Sequence, residues 1–563
     1  MAALKRFRAR CVGVGQDRII VIVLLACTAV SALASPISPF PRDGWFESQY
    51  RLFGRFPGED DYTPIAAPAV FYKIVHWLAL PAGVDLKGEM YLASVAQNCL
   101  LFLSACFVYY TCKQLSSGRV AGLVAIAFLL FVLSTGVAQA FWSENVVVAM
   151  FAAVLYLNTK VYRQAGDASS PFWGRALLSS LLTGLLVITR LTPVLLIPGI
   201  FFLLHGRLGR GRLLGYTALA CLITALLLGA MLASNQARFG RTELTNSSGR
   251  HLWQGVTPIV DTALADSPEF LELKALDPRI QGKSWFEVRL PNDRRQEFDG
   301  EALLGRLARQ AISGHPVQYL RLGLTKLVTG ICQPPYRLGS DLKGNHHLLA
   351  ADPLKADALL PPPGEAMLKL PRQAMRWAQN ALGAVFSVGQ ILYPIAVFLV
   401  LSSYSALIVQ GVPVVAPIQG GDRAGMMKHA ARWHLMAGVL FLGMIYSTVI
   451  PHGRPLAWLV RGLCAFVLLW QALIIDRESR IGRTGDQPFK AARNGIAYTF
   501  LAAMFFGSLW LSWQSEVKNT RVVLPYLPFL SVMLAIALSY WCDAAEKCSS
   551  ERRHLAAPSV RIT

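Results

Sequence analysis

Charge is scarce in this chain, and acidic charge scarcest. Only 15% of its 563 residues are charged, with 33 acidic against 54 basic side chains. A soluble globular domain carries about a quarter charged residues, so that class is excluded. Metal-type cysteine patterning is missing as well. The ten cysteines form no CxxC or Cys/His spacing of the kind that holds zinc. Cys27, Cys99, Cys106, Cys221 and Cys464 fall within apolar runs, where cysteine acts as a small hydrophobe. No clear internal repeat is present.

What the chain has instead is apolar length. Hydrophobic residues make up 54% of it, mean hydropathy is +0.43, and runs of membrane-spanning length recur, as in a polytopic membrane protein. The net charge of +21 sits mainly in short connectors between these runs. That placement follows the positive-inside rule and argues against a nucleic-acid partner. The basic start, MAALKRFRARCVGVGQDR, and the run that follows it, ending in ALAS, read as a retained first span; a cleaved signal peptide is the alternative.

Lys5, Arg6, Arg8, Arg10 and Arg18 place the N-terminus in the cytoplasm. Spans are then predicted at about 19–35, 90–111, 120–138 and 146–162. The run 175–205 is broken by TRLTP. As one helix it would bury Arg190 in hydrocarbon at high cost, so it reads as a hairpin with Arg190 at the outer surface. A span at about 213–234 leads into a polar region, 235–380, expected to be an external subdomain. Within it, 315–334 reads as an interfacial helix. Later spans are expected at about 382–408, 433–450, 456–475, 496–513 and 524–541. Both termini are then cytoplasmic, and the plasma (inner) membrane is the expected location. The expected domains are an N-terminal transmembrane module, 1–234, whose first external loop is 36–88, the subdomain 235–380, C-terminal spans 381–541 and a tail 542–563.

The outward loops collect the unusual residues. Asp43, Glu47, Glu59, Asp60 and Asp61 are interleaved with Trp45, Tyr50, Phe53, Phe56 and Tyr62, and FYKIVHW carries Lys73 and His76. A carboxylate can take the proton of an attacking hydroxyl, and cations can hold a leaving phosphate. Asp43 and Glu47 share a face if their stretch is helical, and Glu144 opens a span nearby. These carboxylates also suit a merely solvated loop. Arg190 fits phosphate binding or snorkelling to the interface. Lys73 and His76 fit phosphate binding or the wet face of an interfacial helix. TNSSGRHLWQG, with Asn246 and Trp253, reads as a small-residue turn whose tryptophan could stack on a sugar or simply anchor a loop.

In their order along the chain these motifs resemble membrane glycosyltransferases of the GT-C fold, in the group of protein mannosyltransferases and lipid A aminoarabinose transferases. The resemblance spans about residues 19–541. It is carried by Asp43, Glu47, Tyr50, Gly54, Tyr62-Thr63-Pro64, Pro68 and Tyr72, by Phe141 to Asn145, by Gly184 to Arg190, by TNSSGRHLWQG, by His315-Pro316 to Lys326, and by VKNTRVVLPYLPFL. Pro64 and Pro68 stand where a double proline is usual, Glu144 where an aspartate is, and Val522 where a tyrosine follows the arginine.

The resemblance implies an all-α polytopic membrane protein, a GT-C-like bundle of about twelve transmembrane helices with interfacial helices in the first external loop and an external loop subdomain. It implies transfer of a monosaccharide, with inversion, from a polyprenyl-phosphate donor to a lipid, glycan or protein acceptor. Asp43 would act as base with Glu144 and Glu47 as its partners, Arg190 and Lys73 would hold the donor phosphate, and Tyr50, Tyr62, Tyr72, Asn246 and Trp253 would contact substrates. No cofactor is required, although an acidic loop could take a divalent cation. A transporter or flippase of lipid-linked sugars and a non-catalytic membrane scaffold are the alternative readings.

Overall fold

A computed structural model describes residues 2–37, 66–84, 86–139, 144–164, 171–190, 192–205, 207–240, 242, 248–271, 294–332, 361–415, 435–436, 438–439, 454–481, 495–515 and 520–556. Every element of regular structure among them is a helix. In chain order these are α1 (Ala2–Ala34), α2 (Ala66–Ala79), α3 (Leu86–Leu115), α4 (Gly118–Ser134), α5 (Glu144–Arg163), α6 (Phe172–Thr189), α7 (Leu196–Leu204), α8 (Arg210–Phe239), α9 (Ser248–Ala263), α10 (Arg294–Gly314), α11 (Pro316–Cys332), α12 (Arg372–Val415), α13 (Arg454–Ile481), α14 (Gly495–Ser515) and α15 (Leu527–Ala556). Short 3-10 turns lie at Leu80–Ala82, Val137–Gln139, Thr192–Leu195 and Thr520–Tyr526, and a single helical turn at Pro363–Ala366.

Seven of these helices contain stretches long and apolar enough to cross a membrane: Gly15–Ala34, Gly88–Leu115, Glu144–Arg163, Phe172–Thr189, Arg210–Ala237, Arg372–Tyr404 and Val523–Glu546. Shorter apolar helices cover Gly118–Ser134, Thr192–Leu204, Trp458–Gln471 and Ala497–Gly507, matching expected spans. The span expected at 433–450 lies mainly outside the described residues. The 44-residue α12 is roughly 66 Å long at 1.5 Å per residue, about twice a hydrocarbon core, so it continues beyond any bilayer it crosses.

The apolar pattern is inside-out in the way a membrane bundle requires. Leu459, Leu463, Phe466, Leu469 and Leu473 of α13 are exposed at spacings of three and four, one helical stripe. Leu214, Leu222 and Leu226 are likewise exposed along one side of α8, at whole multiples of four residues. On a soluble protein such a patch would be sticky, whereas on a helix fit to cross a membrane it suits contact with lipid. The spanning part of α15 is 89% buried and that of α8 only 11%. The bundle is therefore built around α15, which packs on α3, α4, α5, α12 and α14, with α8 at its rim.

Polar contacts sort the helix ends into two sets. At one end the Asp17 carboxylate accepts from Tyr109 Oη at 2.6 Å and from Lys113 Nζ at 2.6 Å. There too Arg163 donates to the Gln114 carbonyl, the Ser117 amide donates to Ser539 Oγ at 3.1 Å and Arg207 donates to Tyr162 Oη at 3.1 Å. At the other end Gln379 donates to the Ala34 carbonyl at 2.8 Å, Arg190 pairs with Glu144 and Thr192 Oγ1 lies 2.7 Å from Tyr526 Oη. Helices α1, α3, α4, α5 and α6 thus alternate in direction as the distribution of basic residues requires. The expected hairpin forms: α6 stops at Thr189, because Pro193 has no N–H for the Thr189 carbonyl, and Arg190 turns extended at φ −148° and ψ 131°.

Two local expectations are corrected. TNSSGRHLWQG was read as a turn, yet α9 begins at Ser248 and runs through Gly255. Its Trp253, Val256 and Val260 bury against Leu304, Leu307, Ala308 and Ala311 of α10, and that packing overrides glycine's poor helix propensity. In α2, Ile74, Trp77 and Leu78 are exposed while His76 turns inward. Its Nδ1 lies 3.0 Å from Glu89 Oε1, so His76 is not on a wet outer face; an apolar face lies outermost instead.

Candidate functional site

Glu144 is the first residue of α5 and Arg190 the C-cap of α6. A helix N-terminus favours a carboxylate and a C-terminus favours a cation, so both backbones support the charges placed on them. Arg190 Nη2 donates to Glu144 Oε1, and the Glu144 side chain is only 3% exposed against 23% for Arg190. The carboxylate is held below the surface and the guanidinium leads out of the site. A guanidinium carries five N–H donors, so Arg190 can keep Glu144 and still offer a fork to an oxyanion.

Beneath the pair lies a set of buried amides. Asn145, next to Glu144, donates to the Gln97 carboxamide and to the Val137 carbonyl, the latter at 2.9 Å. Gln97 in turn donates to Tyr72 Oη at 2.6 Å. Tyr72 thereby ties α2 to α3, and its ring sits with Ile37, Val75, Met90 and Tyr91 in a small apolar cluster. The turns at Val137–Gln139 and Thr192–Leu195 and the turn Thr520–Tyr526 close around the same ends of α5 and α6. Tyr526, fully buried, meets the Phe151 ring at 5.3 Å.

Of the residues expected to form the site, the structure brings together Glu144, Arg190 and, through Gln97 and Asn145, Tyr72. Trp253 is elsewhere: it is 2% exposed, its ring centroid is 6.0 Å from that of Phe270, and it serves as the core of the α9–α10 pair, the plain anchoring role. Asp43, Glu47, Tyr50, Tyr62 and Asn246 lie outside the described residues, as does the side chain of Lys73. Among the described residues no group of three or more His, Cys, Asp or Glu side chains is placed to hold a metal ion. The acidic loop considered for a divalent cation is outside them.

Sequence reasoning passed over Gln97 and Gln139, and took Asn145, Thr192 and Tyr526 only as parts of longer motifs. Ser94, Gln97 and Asn98, polar at spacings of three and four within an apolar span, were the available signal, since such residues in a span face the bundle interior.

One further cation is internal. Lys326 of α11 donates to the Gly255 carbonyl at 2.6 Å, joining α11 to α9 where both pack on α14. Burial pushes its ammonium down to about 8 from an ordinary 10.5.

No protein-family model, curated protein or solved structure matches the chain. What these contacts and the apolar surface establish is a helical protein with several helices fit to cross a membrane.

Proposed function

We propose that the chain is an integral membrane glycosyltransferase with a GT-C-like bundle of about twelve spans. In this reading it lies in the plasma (inner) membrane with both termini cytoplasmic and its site extracytoplasmic. The donor is a polyprenyl-phosphate monosaccharide and the acceptor a lipid, glycan or protein of the cell envelope. One observation carries the reading: Glu144 and Arg190, 46 residues apart, meet at the bundle end to which α2 is tied through Tyr72, Gln97 and Asn145. Sugar transfer from a phosphate needs a base and a cation, and a carboxylate and a guanidinium stand together there.

In the mechanism, Asp43 accepts the proton of the acceptor hydroxyl as its oxygen attacks the anomeric carbon. The bond from that carbon to the phosphate oxygen breaks, and the configuration inverts. Glu144 orients the acceptor or supports the base, with Glu47 beside Asp43. Arg190, with Lys73, stabilises the departing polyprenyl phosphate; a phosphate leaves without a strong acid. Tyr50, Tyr62, Tyr72, Asn246 and Trp253 entered this scheme as substrate contacts; the burial of Trp253 favours a supporting role for that residue. The test is genetic. Mass analysis of envelope lipids and glycans should reveal one saccharide modification that disappears on deletion, returns with the wild-type gene, and does not return with Asp43→Asn or Glu144→Gln at equal membrane abundance. An unchanged profile after deletion would refute the reading.

A further inference from the structure

Gln139 ends the short turn between α4 and α5. It is 4% exposed, and neither its carboxamide nitrogen nor its oxygen has a hydrogen-bond partner. It is one of several such groups: Ser94 Oγ, Asn98 Oδ1 and Asn145 Oδ1 are also buried and unpartnered. The four belong to one neighbourhood. Asn145 bonds Gln97, which stands on α3 between Ser94 and Asn98, and bonds the carbonyl of Val137, which opens the turn ending at Gln139. Buried polar groups are nearly always satisfied, because an orphaned donor or acceptor forfeits its water bonds without recompense. Apolar side chains of similar size would be buried at these positions at lower cost. Unmatched neutral polar groups beside a carboxylate–guanidinium pair are instead what a ligand rich in hydroxyls would match, the Gln139 carboxamide offering donor and acceptor together and Asn98 and Asn145 one carbonyl oxygen each.

We propose that Gln139, with Asn145, Asn98 and Ser94, forms the recognition site for the hydroxyls of a monosaccharide, adjoining Glu144 and Arg190. This deepens the glycosyltransferase reading and rests on it for the identity of the ligand. It assigns these neutral side chains to reading the sugar ring, and leaves the phosphate to Arg190.

The test compares wild type with Gln139→Leu, an apolar side chain of similar size. With no ligand, the leucine variant should unfold at or above the wild-type Tm, because it removes an unmatched buried amide; a lower Tm would show that Gln139 supports the fold and would overturn the proposal. Each protein is then titrated with a panel of synthetic short-chain polyprenyl-phosphate monosaccharides and with bare polyprenyl phosphate. Wild type should bind at least one glycosylated member, and Gln139→Leu should bind that member tenfold or more weakly while binding the bare phosphate equally. Equal weakening of both, equal binding of both, or no glycosylated member binding wild type would each overturn it. If wild type binds the sugar but transfers none to acceptor, the catalytic reading fails while the recognition site stands.

Discussion

The Glu144–Arg190 pair joins the negative end of one helix to the positive end of another through side chains of opposite sign. Burying an ion pair costs desolvation that Coulomb attraction repays only in good geometry; here both helix dipoles add to the attraction. Lys326 is the contrasting case, a buried ammonium with one carbonyl acceptor, its proton affinity lowered by burial. Its folded value of about 8 lies below the ordinary 10.5. The unfolded chain therefore binds more protons between these values, and stability rises with pH across that window. The cost of burying the charge is fully present below pH 8. Wild-type Tm in detergent should thus climb relative to Lys326→Met between pH 8 and 10, and the methionine variant should be at least as stable at pH 7. Parallel curves across that range would show that Lys326 is not buried as described.

At the scale of elements, helix contacts depend on small residues. In a bilayer the hydrophobic effect does not drive helices together, so close packing does. A methyl group on Gly184 of α6 would lie 2.8 Å from a Leu227 methyl of α8, and the ring of Phe131 in α4 presses on Gly389 of α12. Phe131 also stacks with Tyr393 at 6.2 Å, so it cannot retreat freely. Gly389→Val should destabilise the bundle by about 1–3 kcal/mol through overpacking, read as a lower Tm, whereas Gly389→Val with Phe131→Ala should recover part of that loss. The glycines explain what was legible in sequence at this scale. Apolar length marked the spans and Pro193 marked the hairpin. Helix α9 was not legible, because its glycines and serines signal a turn locally and only burial against α10, where Trp253 meets residues such as Leu304 far along the chain, makes it a helix. The inward turn of His76 was hidden for the same reason: its partner, Glu89, is on the next helix.

For the whole molecule, arginine and lysine placement set the alternation of helices, and the contacts at the two bundle ends obey it. Glu144 and Arg190 were anticipated only as residues of separate outward loops, since no periodicity reports which loops touch. The amide cluster around Gln97 and Asn145 was visible as polar residues in spans, but its assembly from α2, α3, α5 and the turn at 137–139 needed coordinates. Sidedness can be read directly. In a background with all ten cysteines replaced by serine, Met367→Cys, exposed near the Ala34 end, should react with an impermeant maleimide in intact cells. Ser117→Cys, at the Asp17 end, should react only after the membrane is opened. The reverse labelling would place the Glu144–Arg190 end in the cytoplasm and remove the proposed access to an extracytoplasmic acceptor.

The most direct measurement is transfer itself, with purified protein in proteoliposomes given labelled polyprenyl-phosphate sugar and an envelope extract as acceptor. Wild type should move label to an acceptor with inverted anomeric configuration. Asp43→Asn and Glu144→Gln, folded and inserted equally, should lose about 10²–10⁴ of that rate, the span typical of a missing acid–base group. Wild-type turnover in both variants, or no transfer by wild type from any donor of the class, would contradict the account.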